Sequence, residues 1–139
     1  MDNLADMLLD IINYLESLNV VDGDGVDTFR DNMPESPDKA ISLIEYDGLG
    51  AIPSAEGVVR RFQVGARSSA DDPDWAHSKV WSIFNALVTD ELVIDTRELV
   101  PAGDFWGVLR GVQTPHKTKT DESNRVTYSF NVIVTTYRD

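Results

Sequence analysis

The chain has 139 residues, of which 24 are acidic and 12 basic, giving a net charge of −12. A surface this negative is repelled by nucleic acid and by anionic membranes, which argues against function through binding either. Cysteine is absent, which excludes disulfides, cysteine-based zinc sites and a thiol nucleophile and suits a reducing cytoplasm. Hydrophobic residues make up 42%, and a chain of this length buries roughly 70% of its extended surface, so one self-sufficient domain over residues 1–139 is expected.

The first 19 residues predict an amphipathic helix, since Leu4, Leu8, Ile11, Ile12, Leu15 and Leu18 recur at helical spacing. Its other face carries Asp6, Asp10, Asn13 and Glu16. The N-terminus has neither the basic region nor the apolar run of a signal peptide, and no window is long enough to span a bilayer. Val20 to Asp38 is rich in Gly, Asp and Pro, with room for a short strand within Val26 to Met33. Ala40 to Tyr46 is β-prone and apolar on both sides, the pattern of a strand covered on both faces. Asp47 to Gly57, with its Asp-Gly pair and Pro53, reads as a turn-rich connection.

Val58 to Val88 is the centre of the chain. Phe62, Val64 and Ala66 alternate with Arg61, Gln63 and Arg67, so one sheet face is apolar and the other polar and basic. Asp72 then suits an N-cap and Pro73 a first helical position. The helix that follows presents Val80, Trp81, Phe84, Leu87 and Val88 as a stripe wide enough to cover a sheet face. Beyond it, Leu92–Ile94 and Leu99–Val100 are short apolar bursts, read as a small hairpin or one irregular strand. Phe105 to Gln113 alternates as a strand. The last strand is the clearest, with Val126, Tyr128, Phe130, Val132 and Val134 on one face and Thr127, Ser129, Asn131 and Thr135 on the other. Between these two strands, Thr114 to Asn124 is polar and longer than an ordinary hairpin connection, and reads as a long loop. The order predicts an α+β, two-layer sandwich: a mostly antiparallel sheet with the N-terminal and central helices packed on it.

Catalytic patterns are missing. Asp22-Gly23-Asp24-Gly25 opens like a calcium loop, but the sixth and twelfth positions hold Asp27 and Met33 where Gly and Glu are needed. It reads as an acidic turn. Gly48-Leu49-Gly50 lacks the third glycine and the following helix of a dinucleotide fingerprint. Neither His77 nor His116 has a nucleophilic serine placed beside it by any motif. The three tryptophans, Trp75, Trp81 and Trp106, read as core. Arg60, Arg61 and Arg67 form the densest basic cluster, which is either a solvated strand face or a patch for a neighbouring subunit's acidic face.

Met33-Pro34-Glu35-Ser36-Pro37-Asp38, then Ile41-Ser42-Leu43 and Tyr46-Asp47-Gly48, resembles the P-x-S-P-D segment and strand of bacteriophage tail terminator proteins, also called tail-completion or minor capsid proteins. Phe62-Gln63-Val64 with Arg67, and the helix end Ile83-Phe84-Asn85-Ala86-Leu87, are similar to the family's central strand and helix. Gln113-Thr114-Pro115, Asp121-Glu122 and Asn124-Arg125 leading into the strand with Asn131 are similar to its closing hairpin. The resemblance runs from about Leu4 to Tyr137, and residues 89–104 match nothing in it.

That resemblance implies a structural virion protein without catalysis, cofactor, metal or membrane partner. It implies a homo-oligomeric ring, commonly a hexamer, on the head-proximal end of the tail tube, with assembly in the host cytoplasm. Its partners would be copies of itself, the tube protein and the head's connector, with DNA passing only as cargo. Six copies at −12 each would carry −72, which would keep DNA from sticking to the lumen. The expected subunit or partner interface is Arg61, Gln63, Arg67, His116, Lys117, Lys119, Asp121 and Glu122. Two alternatives stay open: a neck or head-completion protein on the portal side, and a small metal-dependent hydrolase built on the acidic turn.

Overall fold

The computed structural model describes residues 7–52, 57–88, 92–95, 105–111 and 114–138. Helix α1 (Met7–Ser17) buries Leu8, Ile11, Ile12 and Leu15, as the leucine and isoleucine spacing requires. Leu18 is exposed, and Leu4 lies outside the described residues. Asp10 was expected on the solvated face but is buried, so α1 is covered over more than its apolar stripe. Asn19 ends the helix in the left-handed conformation at φ 59°. The amide of Asn19 bonds the Glu16 carbonyl and that of Val20 the Leu15 carbonyl, the paired bonds of a Schellman cap.

Among the described residues, seven strands form one sheet. They are β1 (Thr28–Arg30), β2 (Ala40–Ile52), β3 (Gly57–Arg67), β4 (Leu92–Asp95), β5 (Phe105–Gly111), β6 (His116–Thr120) and β7 (Val126–Arg138). Their order is β1-β2-β3-β7-β5-β4, and β6 pairs with β7 alongside β5. β5 pairs with the second half of β7 and β6 with its first half, so the two are successive pieces of one edge. Among the described strands, only β1 and β2 run parallel. The expected mostly antiparallel sheet with two helices is the observed architecture.

One sheet face carries Ile41, Leu43, Phe62, Val64, Ala66, Phe130, Val132 and Val134, all buried. Both helices pack there. Helix α2 (Asp74–Val88) contributes Ala76, Val80, Ile83 and Leu87 to the buried cluster. Trp81 and Phe84, expected within the stripe, flank it half-buried, with Phe84 edge-on to Phe130 at 5.2 Å. Trp75 also packs against the core, between Lys39 and Lys79, whereas the Trp106 side chain lies outside the described residues.

Two connections differ from the sequence reading. Asp47 to Gly57 is mostly strand. β2 continues to Ile52 and β3 begins at Gly57, because a register shift between Tyr46 and Gly50 absorbs the Asp-Gly pair without ending the pairing. Thr114 to Asn124 is not a long loop. His116–Thr120 is a strand bonded to β7, and only a tight turn separates them. Its residues are exposed on both faces, so it has no apolar row to announce it. Of the bursts after α2, Leu92–Asp95 is one strand paired to β5, and Leu99–Val100 lies outside the described residues.

Phe62 sits at the centre of the core with no exposed surface. Phe62→Ala should therefore cost about 3–5 kcal/mol, measured as a shift of the urea midpoint at unchanged slope.

Candidate interaction site

Parallel neighbours cannot be joined by a tight hairpin, so the chain from β1 to β2 must cross over. Residues 31–39 make that crossing on the sheet face opposite the helices. Met33 of the crossing lies over Gly65, where a Cβ would stand in ordinary contact with Met33 Cε at 3.7 Å and crowd Ser42 Oγ of β2 at 3.1 Å. The crossing covers Ala40, Ser42, Gly65, Thr127 and Ser129, all buried. On this second face of β2 Ala40 is buried, Ile44 half-buried and Tyr46 exposed, so the expected cover on both faces holds only at the start of the strand.

Two buried arginines hold the crossing in place. Arg67, the last residue of β3, donates from Nε to the Asp38 carbonyl at 2.9 Å and from Nη2 to the carbonyls of Pro37 at 2.7 Å and Glu35 at 3.3 Å. Arg125, just before β7, donates from Nη1 to the Glu35 carbonyl at 2.7 Å and to Asp38 Oδ1 at 3.2 Å. Its Nε bonds Asp121 Oδ2 at 2.8 Å. Asp121 Oδ1 in turn accepts the backbone N–H of Ser123 and of Arg125, each at 2.9 Å. Asn124, at φ 61°, closes this turn in the left-handed region. One network thus ties the crossing, the end of β3 and the β6–β7 hairpin together.

The electrostatics follow from the contacts. Burial, and then the charge of neighbouring Arg125, hold the Arg67 guanidinium below its ordinary value, while Asp121, Glu35 and Asp38 offset part of this. The hydrogen bond to Asp121 pushes Arg125 up. Asp121 sits below the usual carboxylate range, first because the Arg125 backbone N–H bonds it, with the Arg125 guanidinium and Ser123 N–H adding to this. Glu35, Asp121, Glu122, Ser123 and Arg125 line a shallow cleft of about 190 Å³ beside the network. The cleft joins fixed charges to an exposed turn, an arrangement suited to holding a surface in shape.

A family model described as bacteriophage tail terminator protein matches residues 14–138. The chain belongs to the bacteriophage tail terminator family. Among solved structures, it is similar to a chain of the virion of a native gene transfer agent particle. The TM-score is 0.57 at 13% identity, covering 92% of this chain and 93% of that one, a likeness of fold. No curated protein sequence matches it. The P-x-S-P-D segment, Arg67 and the Asp-Glu and Asn-Arg pairs, which in the sequence were separate points of likeness to tail terminators, meet in this one network.

The expected interface residues fall into three places. Arg67 is 4% exposed and spent on the crossing, so it is no part of a solvated basic row. Arg61 and Gln63 lie further along the same face and are half-buried, Arg61 over the Tyr46 ring at 5.1 Å. His116, Lys117 and Lys119 are exposed on β6, while Asp121 and Glu122 form the turn beyond it. Arg125, Glu35 and Asp38 are the members of the network that the sequence reading left out of the site. A signal was present: Pro34 and Pro37 lack N–H groups, so this segment cannot join a ladder and its carbonyls need outside donors.

The acidic turn is a turn. Asp27 accepts the N–H of Asp22 and Gly23 and the Thr28 hydroxyl, and Asp24 pairs with Arg30 at 3.0 Å. Gly23 and Gly25 have positive φ. Among the described residues, no group of three metal-ligating side chains converges.

Arg67→Ala should lower stability by about 2–3 kcal/mol by leaving the Pro37 and Asp38 carbonyls without their charged donor, while the Glu35 carbonyl keeps Arg125. Arg67→Lys should recover only part, because an ammonium cannot span them as the planar fork does. Denaturant unfolding of both variants checks this. The Asp121 tie has the opposite acid signature from a raised group. Its folded pKa is lower than its unfolded one, so its contribution is complete above the ordinary Asp range near about 3.9 and fades as pH falls through the lower folded value. Amide exchange at Ser123 and Arg125 should stay slow down to that range and quicken below it, and Asp121→Asn should make it fast at neutral pH.

Proposed function

We propose that this protein caps the head-proximal end of a phage tail tube as a homo-oligomeric ring, stops polymerisation of the tube protein and offers the surface to which the head's connector joins. The family match over residues 14–138 carries this reading. The likeness of fold to a chain from a virion particle supports it. So does the character of the molecule: its two buried arginines are spent on internal carbonyls. A protein of this kind acts by position and fit. Its ring would surround the DNA path without gripping DNA, since the net charge repels phosphate. It would reach the virion from the host cytoplasm, where tail and head are assembled.

Electron microscopy of particles assembled without this protein tests the reading. Tubes of uncontrolled length, or tails separate from filled heads, are the expected result. Tails of normal length that only fail to join heads would place the protein on the portal side instead, as a neck component. Normal virions would remove both.

A further inference from the structure

The sheet has two opposite edges that carry opposite charge. Pairing runs without a break from Thr28 through Ile41, Ala66 and Tyr128 to Lys117, so β1 and β6 end the same row across five strands. Four spacings of about 4.8 Å set these edges about 19 Å apart.

At the β6 end, Lys117 and Lys119 are exposed. Neither forms an ion pair among the described residues, although the chain carries two acidic side chains for every basic one. A register shift around Thr118 sends the two lysines to opposite faces: Lys117 pairs with Tyr128 and Lys119 with Thr127. The edge is therefore basic from both sides. At the β1 end, the turn before the strand carries Asp22, Asp24 and Asp27 and the residue after it is Asp31, spaced along the edge without converging. Glu16 joins them, with its carboxylate against Gly23. Arg30 offsets Asp24 alone. The outer side of β1 is capped by this turn, through Gly25 N–H to Thr28 O and Thr28 N–H to Gly23 O, so it presents carboxylates and not a bare backbone edge.

We propose that the β6 edge of one copy docks against the acidic β1 edge of the next, making the head-to-tail contact that closes the ring. The proposal rests on the capping reading above and names the surface that reading leaves open. Two different patches on opposite sides of one subunit are what a heterologous contact requires, and opposite charge sets the direction of travel round the ring. It also moves the contact away from Arg67, which the crossing uses. Within each subunit, the arginine network fixes the hairpin that carries the lysines.

Charge reversal on assembled tails tests this. Lys117→Glu with Lys119→Glu should abolish ring capping in a phage lacking the wild-type copy. So should Glu16→Lys with Asp22→Lys. All four changes in one chain should restore it, because the contact is re-formed with its signs exchanged. Circular dichroism confirms that each variant folds. The chain's lack of cysteine allows a second reading: in isolated particles, a Lys117→Cys, Asp22→Cys chain should give oxidation-dependent ladders of linked copies. Normal capping by both double variants, with no ladder from rings seen by microscopy, would overturn the inference and leave the capping reading standing. Normal virions without the protein would remove both.

Discussion

The Arg67 and Arg125 guanidinium groups hold a stretch of chain that cannot hold itself. Glu35-Ser36-Pro37-Asp38 lies between two parallel strands and belongs to neither. Its carbonyls find donors only because both arginines reach them from the sheet. Without that, the covered half of the polar sheet face would open over Ser42, Gly65 and Ser129, and the hairpin would lose its tie to the body of the domain. The cost is the burial of a guanidinium and then the like charge beside it, both visible in the lowered Arg67. Asp121, Glu35 and Asp38 offset it. Of these, Asp121 matters most, because its carboxylate is fixed by two backbone N–H groups as well as by Arg125, whereas the Glu35 side chain is almost fully exposed and contributes little.

The opposite face of the sheet rests on simpler physics. Alternating apolar residues on β2, β3 and β7 meet the buried stripes of α1 and α2 in one cluster. This was legible in the sequence because burial on one face forces a period of two in strands and 3.6 in helices. The final strand was plainest because it alternates strictly. Of the predicted α2 stripe, Val80 and Leu87 are buried as expected, while Trp81 and Phe84 reach the core from its margin and Ile83 fills the centre.

What escaped the sequence reading lacked any burial pattern. β6 is polar on both faces and is a strand only because β7 offers it partners. The extension of β2 past Tyr46 is carried by a register shift, which breaks the alternation that would reveal it. Arg67 looked like one more member of a basic row. Its neighbour in space, Arg125, is distant in sequence, and nothing local pairs the two. Their common target could be guessed only from the prolines that leave the 34–38 carbonyls without a ladder. The family resemblance had gathered these same residues in order along the chain, without giving the reason that they belong together.

We propose that this molecule works by occupying one place in a particle, with its surface charges meeting those of its neighbours. An electron cryo-microscopy map of intact virions tests that most directly. The expected map shows a closed ring of this fold between the last layer of tail tube and the head's connector, each copy presenting β6 to the β1 side of the next. A map in which that position is filled by another protein, with this chain elsewhere or missing, would contradict it.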